Sequence, residues 1–220
     1  MAHFPVFIDN KDKKCLEVGG GRVASRKIST LLRYGACVHV ISPDVCREIT
    51  DMLPAADNTA NPEKRIRILK SSFADLGQER LDRELSGACL VVAASADREA
   101  NHLVHLLCKD RQIPVNVVDE PKECSFLFPA VVKKGPVSIG INTGGDSPIV
   151  SRRIREEAEK LIPDYYGDIA LQLGDLRRRL KDRFPEEAVR RRILKEAAQE
   201  AFCNQRVLSE EEIRGIIESS

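Results

Sequence analysis

Three consecutive glycines begin a short segment with the spacing of a phosphate-binding turn. The segment reads Gly19-Gly20-Gly21-Arg22-Val23-Ala24, which matches the pattern G-x-G-x-x-A. In such a turn Gly19 would make the tight bend, and Gly21 would let the backbone approach a pyrophosphate without a Cβ in the way. A helix that starts here offers unpaired N–H groups to the phosphates. The pattern predicts dinucleotide binding, and the alternative is a glycine turn that serves packing only.

The next predicted strand bears on which dinucleotide would bind. An acid that binds the ribose 2′-OH is expected about 20 residues after the turn, at the end of the second strand. That end reads Ile41-Ser42-Pro43-Asp44, so Asp44 comes slightly late and Ser42 holds the nearer position. Asp44 would repel a 2′-phosphate, and no arginine stands immediately beside it in sequence, although Arg47 is near. These residues favour NAD over NADP.

A second candidate for chemistry is Asp119, which follows the strand-like run Val115–Val118. In open α/β sheets, ligands lie outside the carboxyl ends of the strands. Asp119 is therefore placed to meet a substrate. From its position alone, a substrate-binding role for Asp119 and a structural role as a turn residue before Pro121 are equally supported.

Metal binding has weaker support. His102 and His105 are three residues apart on a predicted helix, which suits two ligands, but a third ligand is not evident and the neighbouring residues are apolar. The sequence has no CxxC pair, so we expect no resident metal.

The seven cysteines are odd in number and widely scattered, and the N-terminus lacks a signal-peptide layout. This usage indicates reduced thiols and a cytoplasmic protein.

These candidates need elements that bring strand ends to one edge, and the pattern up to Pro121 predicts them. Strands are expected at 14–19, 36–42, 65–70, 87–95 and 113–118, and helices at 22–34, 46–52 and 98–109. Gly35 stands where a helix C-cap glycine belongs, Asp97 suits an N-cap, and 54–62 is typical of a loop. The alternation predicts a Rossmann-type, doubly wound α/β sheet.

The pattern changes after Pro121. Two strand-like runs, 125–132 and 137–142, flank Lys133-Lys134-Gly135-Pro136 with no helix between them, which predicts an antiparallel pair. A glycine-rich turn at 143–148 precedes a helix at 149–161, and residues 164–220 are helical and charged. The basic runs at 177–179 and 190–192 are interleaved with acidic residues, which favours a solvated helix face over an anion site.

Composition narrows the class of protein. The chain has 220 residues, 42% hydrophobic and 31% charged, with 35 Lys and Arg against 34 Asp and Glu. These values are typical of a folded globular protein, and the near-neutral charge gives no overall footprint for nucleic acid. Uncharged stretches such as Leu85–Ala96 are far shorter than the roughly 20 residues of a membrane span. We therefore expect neither nucleic acid nor membrane as a partner.

Three segments resemble one enzyme family. They are HFPVFIDNKDKKCLEVGGGRVASRK, AASADREAN and NVVDEPKECSFLFPAVVKKGPVSIGINTGGDSP. They are similar to the precorrin-2 dehydrogenase/sirohydrochlorin ferrochelatase family, which includes the N-terminal module of siroheme synthase. The resemblance runs from about His3 to Pro163, and the helical tail matches more loosely. N-V-V-D-x-P and S/T-G-G-x-S-P are more specific to the family than the glycine turn, and the stretch between Cys46 and Arg65 is longer than usual.

The resemblance implies an activity and an assembly. The activity is NAD-dependent oxidation of precorrin-2 to sirohydrochlorin, and some members also insert ferrous iron to give siroheme. The implied parts are an NAD-binding Rossmann domain at 1–121, a dimerisation region at 122–163 and a helical C-terminal domain at 164–220, in a homodimer with the active site between them. Whether the product serves siroheme or cobalamin depends on the organism.

The resemblance also assigns roles to residues. The aspartate of N-V-V-D, Asp119 here, is the catalytic residue. NAD contacts fall after the glycine turn, on Arg22 and Val23, and after the second strand, on Pro43 and Asp44. An alternative from a different class is a Rossmann regulatory module that binds NAD without chemistry.

The implied substrate is rich in carboxylates, so cationic residues should line its cleft. The candidates are Lys122, Lys133, Lys134, Arg152 and Arg153, with Ser125, Thr143 and Ser147 as hydrogen-bonding residues. For the lysine pair an exposed hairpin turn is the favoured interpretation, and the serines and threonine are equally credible as turn residues.

Overall fold

The structure is a computed structural model, and it describes residues 3–53 and 65–219. The chain divides into two compact units, one spanning His3–Phe128 and the other running from Pro129 to the C-terminus. The loop predicted at 54–62 lies outside the described residues. In the described part of the chain, no helix is both long and apolar enough to cross a membrane.

The first unit is built on a five-stranded parallel sheet. Its strands are β1 (Lys14–Val18), β2 (Cys37–Ile41), β3 (Ile66–Leu69), β4 (Leu90–Ala93) and β5 (Val115–Val117), and their order across the sheet is β3-β2-β1-β4-β5. The helices between them are α1 (Arg22–Arg33), α2 (Arg47–Thr50), α3 (Gln78–Leu85) and α4 (Arg98–Asp110). The predicted Rossmann-type sheet is confirmed, and the chain order reverses between β1 and β4.

Both faces of the sheet are covered, which explains the apolar strands. Leu16 and Val18 of β1 pack into one core cluster with Val104 of α4, and Cys15 packs into the other with Ile28 of α1. Alternate strand residues point to opposite faces, so a strand buried on both sides is mostly apolar along its length, and Glu17 is the buried exception in β1.

The predicted helix boundaries of the first unit are confirmed at two caps. Gly35 has φ +79° directly after the C-cap of α1, a left-handed conformation that favours glycine. Asp97 caps α4, where its carboxylate accepts hydrogen bonds from the backbone N–H groups of Glu99 and Ala100.

Helix α3 was not predicted. It buries Leu81 and Leu85, which are four residues apart and mark one helical face. Glu84 is also buried on α3, where its carboxylate bonds to Arg67 and His39. A charged residue on the buried side obscured the apolar stripe in the sequence.

The second unit begins with a hairpin of two antiparallel strands, β6 (Ala130–Lys134) and β7 (Val137–Ile141). The predicted antiparallel pair is confirmed, but its first strand starts at Ala130 and not at Ser125. The backbone N–H and hydroxyl of Ser125 instead bond to the backbone of Val115, so this stretch lines the outer edge of β5. Lys133 and Lys134 belong to β6 itself and not to the turn.

Four helices complete the second unit: α5 (Pro148–Leu161), α6 (Tyr165–Arg183), α7 (Glu187–Asn204) and α8 (Glu210–Glu218). Residues from α6, α7 and α8 form one apolar core, centred on Leu176, Ile193 and Ile213. A capping box between Ser209 and Glu212 starts α8. The predicted helical C-terminal region is confirmed. Helix α5 differs from the other three because none of its residues is buried.

Candidate functional site

The glycine turn fits only glycine at its first two positions. Gly19 has φ +132°, and a Cβ added there would lie 2.3 Å from the carbonyl oxygen of Ala94, just after β4. A Cβ on Gly20 would lie 2.0 Å from the carbonyl oxygen of Asp44. Both obstacles are backbone atoms, which cannot move aside as a flexible side chain can. The turn is therefore packed closely against the backbone that follows β2 and β4, the two strands on either side of β1.

The third glycine has a different environment. Nothing lies within 4 Å of a Cβ built on Gly21, so this position faces open space at the start of α1. No side chain caps the helix there, and its first turn contains no acidic residue. The N–H groups of the first turn of a helix lack intrahelical partners and carry partial positive charge. Gly21, Arg22 and Val23 thus form an exposed helix start suited to an anion.

The end of β2 lies beside this turn. The Ser42 hydroxyl donates to the carbonyl oxygen of Asp44 at 2.6 Å, and the Cys46 backbone N–H donates to the carbonyl oxygen of Gly20 at 2.8 Å. Pro43 and Asp44 are exposed. The predicted cofactor residues on the two strand ends are therefore neighbours in the fold.

The arginines near the turn are held by exposed ion pairs. Arg22 Nε lies 3.7 Å from Glu48 Oε1, and Arg47 Nε lies 3.6 Å from Asp51 Oδ2. Exposed pairs of this kind contribute about 0–1 kcal/mol and are screened by salt. They leave the Arg22 guanidinium available to an anionic ligand.

Asp119 opens on a cavity at the carboxyl ends of β4 and β5. The cavity measures about 370 Å³ and is lined by Ser95, Ala96, Arg98, Asn101, His102, Val118, Asp119, Glu120 and Glu123. Asp119 has φ +61°, a left-handed conformation that aspartate adopts more readily than most residues. Its side chain is exposed just past β5, as the strand-end rule predicts.

Hydrogen bonds of α4 side chains to the turn after β5 and to the backbone of Ser95 hold the lining of the cavity in place. His102 Nδ1 lies 2.6 Å from Glu123 Oε1, and His105 Nδ1 lies 2.8 Å from the carbonyl oxygen of Glu123. Asn101 forms two hydrogen bonds of 3.0 Å with the backbone of Ser95. The histidines are therefore engaged with Glu123. In 3–53 and 65–219, no group of three or more His, Cys, Asp or Glu residues is arranged to hold a metal ion.

Sequence reasoning missed Ser95, Arg98 and Glu123 as cavity residues. Ser95 and Arg98 follow the end of β4 as Asp119 follows the end of β5, so the strand-end rule could have found them. Glu123 carried no such signal, because it reaches the cavity through the 3₁₀ turn Pro121–Glu123.

The predicted substrate residues hold mostly local bonds. Lys122 is exposed on the 3₁₀ turn, and the Ser125 hydroxyl accepts a 2.8 Å hydrogen bond from the Val115 backbone N–H. In the second unit, Arg152 and Arg153 pair with the glutamates four residues on, and the Thr143 hydroxyl donates to the carbonyl oxygen of Ser147. Their substrate role stays a prediction.

Comparison with known proteins identifies a family. Residues 6–130 match the model of a family described as putative NAD(P)-binding. The chain belongs to this NAD(P)-binding family. The match covers the whole parallel sheet, including the glycine turn and Asp119.

Curated relatives carry one name. The chain is 38% identical over 203 residues to a siroheme synthase of Nitrosospira multiformis, covering 92% of this chain and 41% of that protein. It is 39% identical over 192 residues to a siroheme synthase of Thioalkalivibrio sulfidiphilus, covering 87% of this chain and 36% of that protein. The chain thus spans about two fifths of the length of these relatives.

One solved structure shares the fold from end to end. It is SirC, a precorrin-2 dehydrogenase, with a TM-score of 0.72 and 24% sequence identity. The match covers 99% of this chain and 98% of that one. The antiparallel pair and the helical C-terminal region therefore belong to a known architecture along with the parallel sheet.

The turn fits the cofactor of the NAD(P)-binding family. Gly21 leaves open space where a Cβ would otherwise meet the ligand, and the start of α1 has no capping side chain to compete with a phosphate. The backbone carbonyl of Asp44 lies against the turn, and the residue is exposed there.

Proposed function

We propose that this chain is an NAD-dependent dehydrogenase that converts precorrin-2 to sirohydrochlorin. The observation that carries the proposal is the cavity at the ends of β4 and β5, where Asp119 is exposed beside a strand end and a dinucleotide turn lies at the end of β1. The names of the similar siroheme synthases and of SirC support the same reaction.

The proposed cofactor residues are the predicted ones. The first turn of α1, with Arg22 and Val23, holds the pyrophosphate, while Pro43 and Asp44 contact the adenosine ribose. When bound, NAD supplies the hydride acceptor that no amino-acid side chain can provide. The carboxylate of Asp44 favours NAD over NADP, because a 2′-phosphate would meet a like charge.

Asp119 acts as the general base. Oxidation of the macrocycle removes two hydrogens, one as a hydride and one as a proton, and the Asp119 carboxylate receives the proton. A well-placed base contributes about 10²–10⁴-fold to the rate. The same carboxylate would take protons from pyrrole nitrogens before insertion of Fe²⁺, which would enter as a second substrate.

The substrate carboxylates need cations and hydrogen-bond donors. Lys122 is the candidate closest in sequence to Asp119, and Arg152 and Arg153 stand near the start of α5. Ser125 and Thr143 would need to exchange their present local bonds for bonds to substrate. Lys122 has no such bond to exchange in the described part of the chain, which makes it the strongest of these candidates.

A homodimer is part of the proposal. Helix α5 buries none of its residues, and Ile149, Val150, Ile154 and Leu161 are between 42% and 81% exposed. Val150, Ile154 and Leu161 are spaced four and seven residues apart and so lie on one side of the helix, and exposed apolar residues on one side are typical of an interface between chains. The proposed compartment is the cytoplasm, because all seven cysteines are free thiols.

Replacement of Asp119 by Ala tests the proposed chemistry. NADH formation from precorrin-2 should fall about 10²–10⁴-fold, because the general base is lost while the glycine turn is unchanged. The measurement is absorbance at the NADH wavelength, with NAD affinity followed by calorimetry. Asp110→Asn, at the exposed end of α4, is the matched control and should keep wild-type turnover.

Near-normal turnover in Asp119→Ala would remove Asp119 from the mechanism. NAD binding without NADH formation by the wild type would instead favour a regulatory module.

A further inference from the structure

The interior of the first unit contains a carboxyl group that no mechanism step uses. Glu17 is the fourth residue of β1 and is 0% exposed, and neither of its carboxylate oxygens has a hydrogen-bond partner among the described residues. Burial raises the pKa of Glu17 well above its usual value. Burial of a charge is costly unless it is paired and hydrogen-bonded, so the burial of Glu17 favours its neutral, protonated form.

Lys27 of α1 is near enough to Glu17 for their charges to interact. Lys27 Nζ donates to Asn116 Oδ1 at 2.6 Å and lies 4.5 Å from the centre of the Phe128 ring. Burial lowers the pKa of Lys27, while the nearby Glu17, Cys124 and Asp119 act in the opposite direction. The Lys27 side chain therefore crosses from α1, over the sheet, to β5.

Asn116 is the middle residue of β5 and is 6% exposed. Its Nδ2 donates to the carbonyl oxygen of Phe126 at 3.1 Å and lies 3.5 Å from Cys124 Sγ. The Val117 backbone N–H donates to the same sulfur at 3.2 Å. Since β5 is the last strand of the sheet, these bonds satisfy its outer edge and fix the chain that returns after Asp119.

We infer that Lys27 is a positioning residue for Asp119. Lys27 lies five residues after Arg22 at the start of α1, and Asn116 lies three residues before Asp119. The Lys27–Asn116 bond thus joins the helix that would take the pyrophosphate to the strand that carries the base. The inference rests on the proposed function.

The bond is suited to positioning because Asn116 is buried and Lys27 is half-buried, so solvent competes weakly for both groups. Misplacement of a catalytic group by about 1 Å can cost about 10²-fold in rate. Loss of the bond should therefore affect kcat far more than NAD affinity, because the glycine turn makes its own backbone contacts with β2 and β4.

The test compares Lys27→Met, Asn116→Leu and the double variant with the wild type. Steady-state turnover of precorrin-2 gives kcat and KM, calorimetry gives the Kd of NAD, and circular dichroism gives the melting temperature. We expect kcat to fall about 10–100-fold in each single variant, with the Kd of NAD within about threefold of the wild type. Arg26→Met, on the exposed side of α1, is the matched control and should leave kcat unchanged.

The double variant separates positioning from structure. The double variant leaves no polar atom of the Lys27–Asn116 bond unpaired, so it should be more stable than Asn116→Leu alone, and both of these variants lose the bond from Asn116 Nδ2 to the carbonyl oxygen of Phe126. A positioning role predicts that kcat in the double variant stays as low as in the single variants. A merely structural role predicts that kcat recovers with the melting temperature, which would overturn the inference.

Two further outcomes are decisive. If Lys27→Met fails to fold, the kcat of Asn116→Leu decides the question. A wild-type kcat in Asn116→Leu overturns the inference. A parallel loss of NAD affinity and kcat would also overturn it, because it would place the effect at the cofactor turn. Absence of turnover in the wild type would contradict the proposed function itself, so the two failures are distinguishable.

Discussion

At the end of β1 the glycine turn offers backbone amides and empty space, whereas at the ends of β4 and β5 the Asp119 cavity offers side chains. The first site is centred on three adjacent glycines, Gly19, Gly20 and Gly21. The second draws on residues 95–102 and 118–123, from two separate parts of the chain. A backbone site depends on where a Cβ can fit, and a side-chain site depends on the bonds that hold its walls. The two should therefore respond differently to substitution.

The largest expected contrast lies within the glycine turn. Gly19→Ala should destabilise the first unit by several kcal/mol and abolish NAD binding, because its Cβ would meet a carbonyl oxygen at 2.3 Å. Gly21→Ala should fold normally and weaken NAD binding about tenfold, about 1.4 kcal/mol, because its Cβ enters open space that the pyrophosphate needs. Thermal melting and calorimetry measure the two effects. Equal effects on binding and stability in both variants would contradict the different roles.

The parts of the fold that could be predicted from sequence depend on local pattern. The strand, glycine turn and helix of 14–34 carry their signals within a few residues, as does the Asp97 cap. The start of β6 could not be predicted, because Ser125 belongs to an apolar stretch and its bonds to Val115 connect residues ten apart. Periodicity does not contain that information.

The cavity shows the same limit. Asp119 was predictable as the residue after an apolar strand, but the partnership of His102 with Glu123 depends on how a turn packs against α4. The Lys27–Asn116 bond left a weak signal. Lys27 lies three residues after buried Ala24, on the stripe that faces the sheet, and Glu17 interrupts an apolar strand. A lysine on the stripe that faces the sheet and a glutamate within an apolar strand each suggest a buried polar group. Neither position identifies the residue that it interacts with.

Replacement of Glu17 tests the interior that links the two sites. Its raised pKa means that its contribution to stability is complete below the unfolded pKa, near 4.5, and is lost as pH rises through the folded pKa. Glu17→Leu should therefore be more stable than the wild type by about 1–3 kcal/mol at pH 7, with the difference shrinking toward pH 4. Urea unfolding across this pH range measures the effect.

Glu79→Leu is the control for that experiment. Its carboxylate is on the exposed surface of α3, so we expect a change within about 0.5 kcal/mol that varies little with pH. A lower stability of Glu17→Leu at pH 7 would show that Glu17 is ionised and paired with Lys27.

The smallest expected effect concerns cofactor choice. Asp44→Ser removes the carboxylate beside the turn and should shift the preference toward NADP, with the ratio of the two affinities changing about tenfold or less. Competition calorimetry with NAD and NADP measures the ratio. An unchanged preference would place the discrimination on another residue, such as Arg47.

We propose that the glycine turn and the Asp119 cavity act on one reaction. The most direct measurement mixes wild-type protein, NAD and precorrin-2 and records NADH and the macrocycle spectrum together. If both sites act on one reaction, NADH appears in a one-to-one ratio with sirohydrochlorin, at a rate proportional to protein concentration. NAD binding by calorimetry with no NADH formed would contradict it.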